Sequence, residues 1–122
     1  MTTKAQAIYN FWASFGLPAY EENSVPDEAT LPYITYEYAS DSIGSEVLLT
    51  ASIWERSTSW TYLNTLEEQI SERLAGSKTL KCDGGGIILW RGTPFAQRMS
   101  DETSKDVKRI LLQVRAEFIT LY

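Results

Sequence analysis

The 122-residue chain contains no histidine, which removes every Ser-His-Asp, Cys-His and histidine-ligated metal scheme, the commonest routes to acid-base and zinc chemistry. Its one cysteine, Cys82, has no internal partner for a disulfide and reads as a small buried or half-buried hydrophobe in a reducing compartment. No run approaches the ~20 apolar residues that a membrane span requires. The opening MTTKAQAIYNFW has one lysine and no apolar stretch of signal-peptide length, so a soluble, untargeted chain without a membrane partner is expected. Phosphate-loop spacings are missing too. The tract Gly84, Gly85, Gly86 fits neither GxxxxGK[ST] nor GxGxxG and precedes a predicted strand rather than a helix. The DxDxDG calcium loop is absent. Neither a metal nor a cofactor is expected, and no enzyme.

Positive charge is also scarce. Eleven Lys and Arg stand against sixteen Asp and Glu, a net charge of -5, which disfavours a dedicated nucleic-acid binder because phosphate neutralisation needs clustered cations. The deficit is uneven: residues 1–61 hold two basic groups against eight carboxylates, and residues 62–122 hold nine against eight. If the halves lie on different sides of the molecule, one side is acidic and the other less so, an asymmetry that suits head-to-tail contacts.

What remains is an ordinary folding composition, 43% hydrophobic and 12% aromatic, in a chain long enough to bury roughly two-thirds of its unfolded surface as one domain over residues 1–122. Thr3 followed by Gln6 has capping-box spacing, and Ile8, Phe11, Trp12 and Phe15 recur at helical spacing until Gly16 and Pro18, predicting a helix over residues 3–15. Residues 19–31, AYEENSVPDEATL, show no periodicity and read as a long loop. PYITYEY and EVLLTASIWER alternate with period two and predict a hairpin. After the potential caps at residues 57–59, Leu63, Leu66, Ile70 and Leu74 form one stripe, predicting a helix over 60–75. KTLKC and IILWR flank DGGG as a second hairpin. From Ile110 to Ile119 the alternation predicts a long final strand. The expected fold is α+β: a two-layer sandwich with an antiparallel or mixed sheet of about five strands and two main helices packed on it.

Carboxylate pairs Asp27 with Glu28 and Asp101 with Glu102 offer formal acid-base chemistry, but adjacent acids in polar loops are far more often solvated surface. Lys108 and Arg109 have the chemistry to touch phosphate, yet two cations opening a strand more often solubilise it. Trp12, Phe11 and Phe15 are expected in the core. Trp54 stands beside Thr50 and Ser52, and Leu111, Ile119 and Leu121 share a face with Gln113, Arg115 and Glu117. Apolar groups on such mixed faces are either simply exposed or line a subunit interface. The candidate interface therefore comprises Glu21, Glu22 and Asp27 in the long loop, Trp54 and Gly85, and Leu111, Ile119 and Leu121.

The strings FWASFGLPAYEENSVPD, LPYITYEY, IWERS and GGGIILWRGTPFAQRMSDE leading to VKRILLQVRAEFITLY cover nearly the whole chain. In them the chain resembles the tail-terminator and tail-completion proteins of long-tailed bacteriophages, including prophages of Gram-positive bacteria. The resemblance implies an α+β subunit of a hexameric ring at the head-proximal end of the virion tail, assembled in the host cytoplasm. Such a ring stops tail-tube growth and docks to the filled head. Its implied partners are copies of itself, the tail-tube protein and a head-completion or connector protein, with DNA only as passing cargo. Alternatives are a head-closure or adaptor subunit of the same connector, or a monomeric acidic module of the inhibitor or immunity type.

Overall fold

The computed structural model describes residues 1–99, 104 and 106–122. Asp101 and Glu102, one of the two carboxylate pairs considered above, lie outside the described residues.

Helix α1 spans Lys4–Ala13, where the Thr3 side chain accepts a hydrogen bond from the Gln6 backbone N–H at 3.0 Å, the cap its sequence predicts. The reciprocal half of the capping box, Thr3 N–H to Gln6 Oε1, is absent among the described residues, and Gln6 Nε2 donates to Asn10 Oδ1. Phe11 and Trp12 are buried and Phe15 packs against them, with Phe11 edge-on to Trp12 at 4.9 Å and to Phe15 at 5.3 Å between ring centroids. Helix α2, Thr61–Arg73, buries Leu63, Leu66 and Ile70. Its N-cap is Trp60, with no side-chain cap bond; Ser59 Oγ instead accepts from Thr61 N–H at 3.1 Å.

Among the described residues six strands form one sheet: β1 (Ala19–Glu21), β2 (Tyr33–Tyr36), β3 (Ser45–Arg56), β4 (Lys78–Cys82), β5 (Gly85–Met99) and β6 (Val107–Thr120), in the order β1-β2-β3-β6-β5-β4. The β1–β2 pair is parallel and the other four pairs among the described residues are antiparallel. The α+β class is as expected, but there are six strands rather than about five. The additional strand is β1, inside the segment read as loop, where Ala19, Tyr20 and Glu21 pair with Ile34, Thr35 and Tyr36. Three residues on a parallel edge are too few to show a period, which is why the sequence concealed them. The sheet also departs from a plain two-layer stack, since α1 contacts both edge strands, β1 and β4. The sheet therefore curls towards the helices.

The second hairpin turns on Asp83 and Gly84, with Cys82 opposite Gly85. Gly85 has φ of 150°, and a Cβ there would come within 1.8 Å of the Ile119 carbonyl oxygen. Backbone crowding thus demands glycine at that position. Strand β5 continues past the predicted IILWR to Met99. Its register on β6 jumps from Arg91 opposite Val114 to Ala96 opposite Leu112, so residues 92–95 bulge against Gln113. At Gly92 a Cβ would meet the Gln113 Cβ at 2.9 Å, so this bulge too needs glycine.

The core lies between the helices and the concave face of the sheet. Leu49, Ala51 and Ile53 of β3, Ile87 and Leu89 of β5 and the alternate residues of β6 join Ile8, Phe11, Leu66 and Ile70 there. Each Val, Leu, Ile or Phe side chain among them contributes about 1.5–3 kcal/mol on burial. No helix among the described residues is long and apolar enough to cross a membrane.

Candidate functional site

Period-two alternation sends every second residue of β3, β6 and β5 to the convex face. The register places Leu48 opposite Arg115, Thr50 opposite Gln113, Ser52 opposite Leu111 and Trp54 opposite Arg109. From β5, Trp90 stands opposite Arg115 and Ile88 opposite Glu117. Both helices pack on the other side, and among the described residues no element covers this face. Leu48 is 52% exposed, while Trp54, Trp90, Ile88, Leu111 and Ile119 are half-buried.

Polar anchors hold the large side chains of this face in place. The Trp54 indole Nε1–H donates to Thr35 Oγ1 at 2.9 Å, and the Arg109 guanidinium lies 4.8 Å from the Trp54 ring centroid while its Nε donates to Ser52 Oγ at 2.9 Å. Arg115 sits 5.7 Å from the Trp90 ring and 3.4 Å from the Glu46 carboxylate. Desolvated guanidinium–indole contacts are worth about 0.5–2 kcal/mol, the lower end applying to exposed pairs. Trp and Arg with scattered aliphatics, flanked by charge, is the composition enriched at protein–protein interfaces.

The remaining candidates fall elsewhere. Glu21 ends β1, and Glu22 and Asp27 lie exposed in the loop after it, so the three acids sit at one edge of the sheet rather than on the convex face. Gly85 lies at the tight hairpin, where its backbone already explains its identity. Leu121, 81% exposed, follows the end of β6. Trp54, Leu111 and Ile119 thus share the convex face, with Leu111 beside Trp54 at one end of the β3–β6 pair and Ile119 near the other end. The face adds Trp90 and Ile88, which sequence reading did not single out. Their alternation was visible within IILWR, but which neighbours they meet depends on the β5–β6 pairing.

Titratable groups give little sign of chemistry. Asp106 has its carboxyl pulled down to about 2 by the Ser104 hydroxyl and by Arg56, whose Nη1 donates at 2.8 Å. Burial pushes the Cys82 thiol up, with Asp83 adding to it, so the thiol is held protonated rather than activated. Burial, aided by Glu21 and Tyr9, also raises the Tyr36 phenol. Among the described residues no cluster of three or more His, Cys, Asp or Glu is arranged to hold a metal.

No protein-family model matches the chain, and the search of curated proteins returned no relative. Among solved structures, the fold matches a chain of one described as the virion of a native gene transfer agent (GTA) particle. The TM-score is 0.70 and the identity 21%, over 94% of this chain and 93% of the other. The similarity therefore extends over nearly the full length of both chains.

Proposed function

We propose that the chain is a structural subunit of the head–tail connection of a long-tailed phage, and specifically a tail terminator that assembles as a ring on the end of the tail tube. The observation that carries this reading is the fold shared, over 94% of this chain, with a chain of a virion particle. A virion is built of chains that work by contact. The convex Trp–Arg face and the exposed edges give this chain surfaces suited to that work. In the ring, copies of the chain contact one another, the tail-tube protein binds below and a head-completion protein above. DNA passes through as cargo. The net charge of -5 suits a channel that does not hold DNA, since like charge prevents sticking.

The test is tube capping. The purified chain is added to a polymerising phage tail-tube protein, and tube lengths are measured by negative-stain imaging. Arrested growth with ring-shaped density at one tube end is the expected result. Unchanged lengths with bare ends contradict the terminator role, and density on the head connector instead of the tube identifies an adaptor or head-closure subunit.

A further inference from the structure

A groove of about 370 Å³ runs between α1 and edge strand β4, lined by Ala7, Phe11 and Leu80 and by the cations Arg73, Lys78 and Lys81. It continues past Arg73 into a hollow beside the last turn of α2, lined also by Gln69 and Glu72. Arg73 is fixed there, with its Nη1 donating to Ser14 Oγ at 2.9 Å and its guanidinium 4.6 Å from the Phe15 ring centroid. Among the described residues Lys78 and Lys81 form no ion pair or side-chain hydrogen bond, and β4 is paired on one side alone, by β5. Glu72 and Asp83 are the nearby acids, and Asp83 Oδ1 accepts from the Thr2 backbone N–H.

The opposite edge of the sheet has the opposite charge. No Lys or Arg occurs between Lys4 and Arg56, and Glu21, Glu22, Asp27 and Glu28 are all exposed at or just beyond the end of β1. None of the four has an ion pair or a side-chain hydrogen bond among the described residues. The strand order carries the sequence asymmetry into space, with β1, β2 and β3 from the acidic half of the chain and β6, β5 and β4 from the other half.

We propose that the acidic segment Glu21–Glu28 of one copy docks in the Arg73, Lys78 and Lys81 groove of the next copy, head to tail. The inference rests on the ring reading above and names the contact that closes it. The two surfaces are different patches of one chain, so the contact is heterologous and propagates around a ring. The plain alternative is that Lys78 and Lys81 only guard an edge strand against unwanted pairing. That alternative is separable, because glutamate guards an edge as well as lysine does.

The experiment measures self-association by native mass spectrometry and sedimentation at about 0.15 M salt, with circular dichroism confirming that each variant folds. Lys78→Glu with Lys81→Glu is expected to weaken association ~100-fold, since like charges then face each other. Glu21→Lys with Glu22→Lys is expected to do the same. An equimolar mixture of the two variants restores assembly, because the native acidic segment of one meets the native basic groove of the other, and the lysine-bearing segment of the second meets the glutamate-bearing groove of the first. If the Lys78→Glu, Lys81→Glu variant assembles like wild type, or the mixture fails to recover, this contact is overturned while a ring built through other surfaces stands. A wild-type chain that stays monomeric to millimolar concentration overturns the contact and the ring together.

Discussion

Along β6, Ile110, Leu112, Val114, Ala116 and Phe118 are each no more than 2% exposed, whereas the residues between them, Leu111, Gln113, Arg115, Glu117 and Ile119, are half-buried or exposed. Both sets share the same strand, the same neighbours and the same hydrogen-bond ladder. The difference lies only in what each face meets. The concave face meets the helices and is finished by them. The convex face carries Trp54, Trp90 and Leu48, anchored by arginines and covered by nothing in the described residues. Stability is thus concentrated on one face, and the other is available for contacts with partners.

Substitutions can break this contrast, and the largest effect is expected on the concave face. Phe118→Ala removes a fully buried ring from the core, and chemical denaturation should show a loss of about 3–5 kcal/mol. Trp54→Phe keeps an aromatic ring but leaves Thr35 Oγ1 without its 2.9 Å donor, at a site where Thr35 is buried. A loss of about 1 kcal/mol is expected by the same method. A loss as large as that of Phe118→Ala would mean that the convex face is as structural as the concave one. Leu48→Ser, at a residue 52% exposed, should change stability by less than about 0.5 kcal/mol while reducing association in sedimentation. The smallest effect concerns Asp106, at the start of β6. Its carboxyl is depressed to about 2 by Ser104 and Arg56, so the stabilisation it provides is present above the unfolded carboxylate range. It fades as pH falls from about 4 through about 2. Asp106→Asn should flatten that part of the stability–pH curve and leave assembly near neutral pH unchanged.

The sequence revealed the elements whose pattern is long and repeated. The alternation from Ile110 to Ile119 and the stripe Leu63, Leu66, Ile70 need no distant partner to be recognised, and both elements form where expected. It concealed features that depend on non-local pairing. β1 acquires its strand character from Ile34 and Thr35 beside it. Gly92 and Pro94 look like the end of β5, but the sheet absorbs them as a bulge against Gln113 and continues to Met99. The mixed character around Trp54, Leu111 and Ile119 was visible as alternation, yet their grouping with Trp90 and Ile88 follows from a strand order that places β6 between β3 and β5. The basic groove was invisible for the same reason. Arg73 and Lys78 flank Gly76 in sequence, but the wall opposite them comes from α1, near the start of the chain.

On the proposed reading, the exposed surfaces of this chain serve assembly with its own copies. Native mass spectrometry of the purified wild-type chain over rising concentration is the decisive measurement. A closed oligomer of one defined copy number, with ring-shaped particles in negative stain from the same sample, is the expected result; a monomer at every concentration contradicts it.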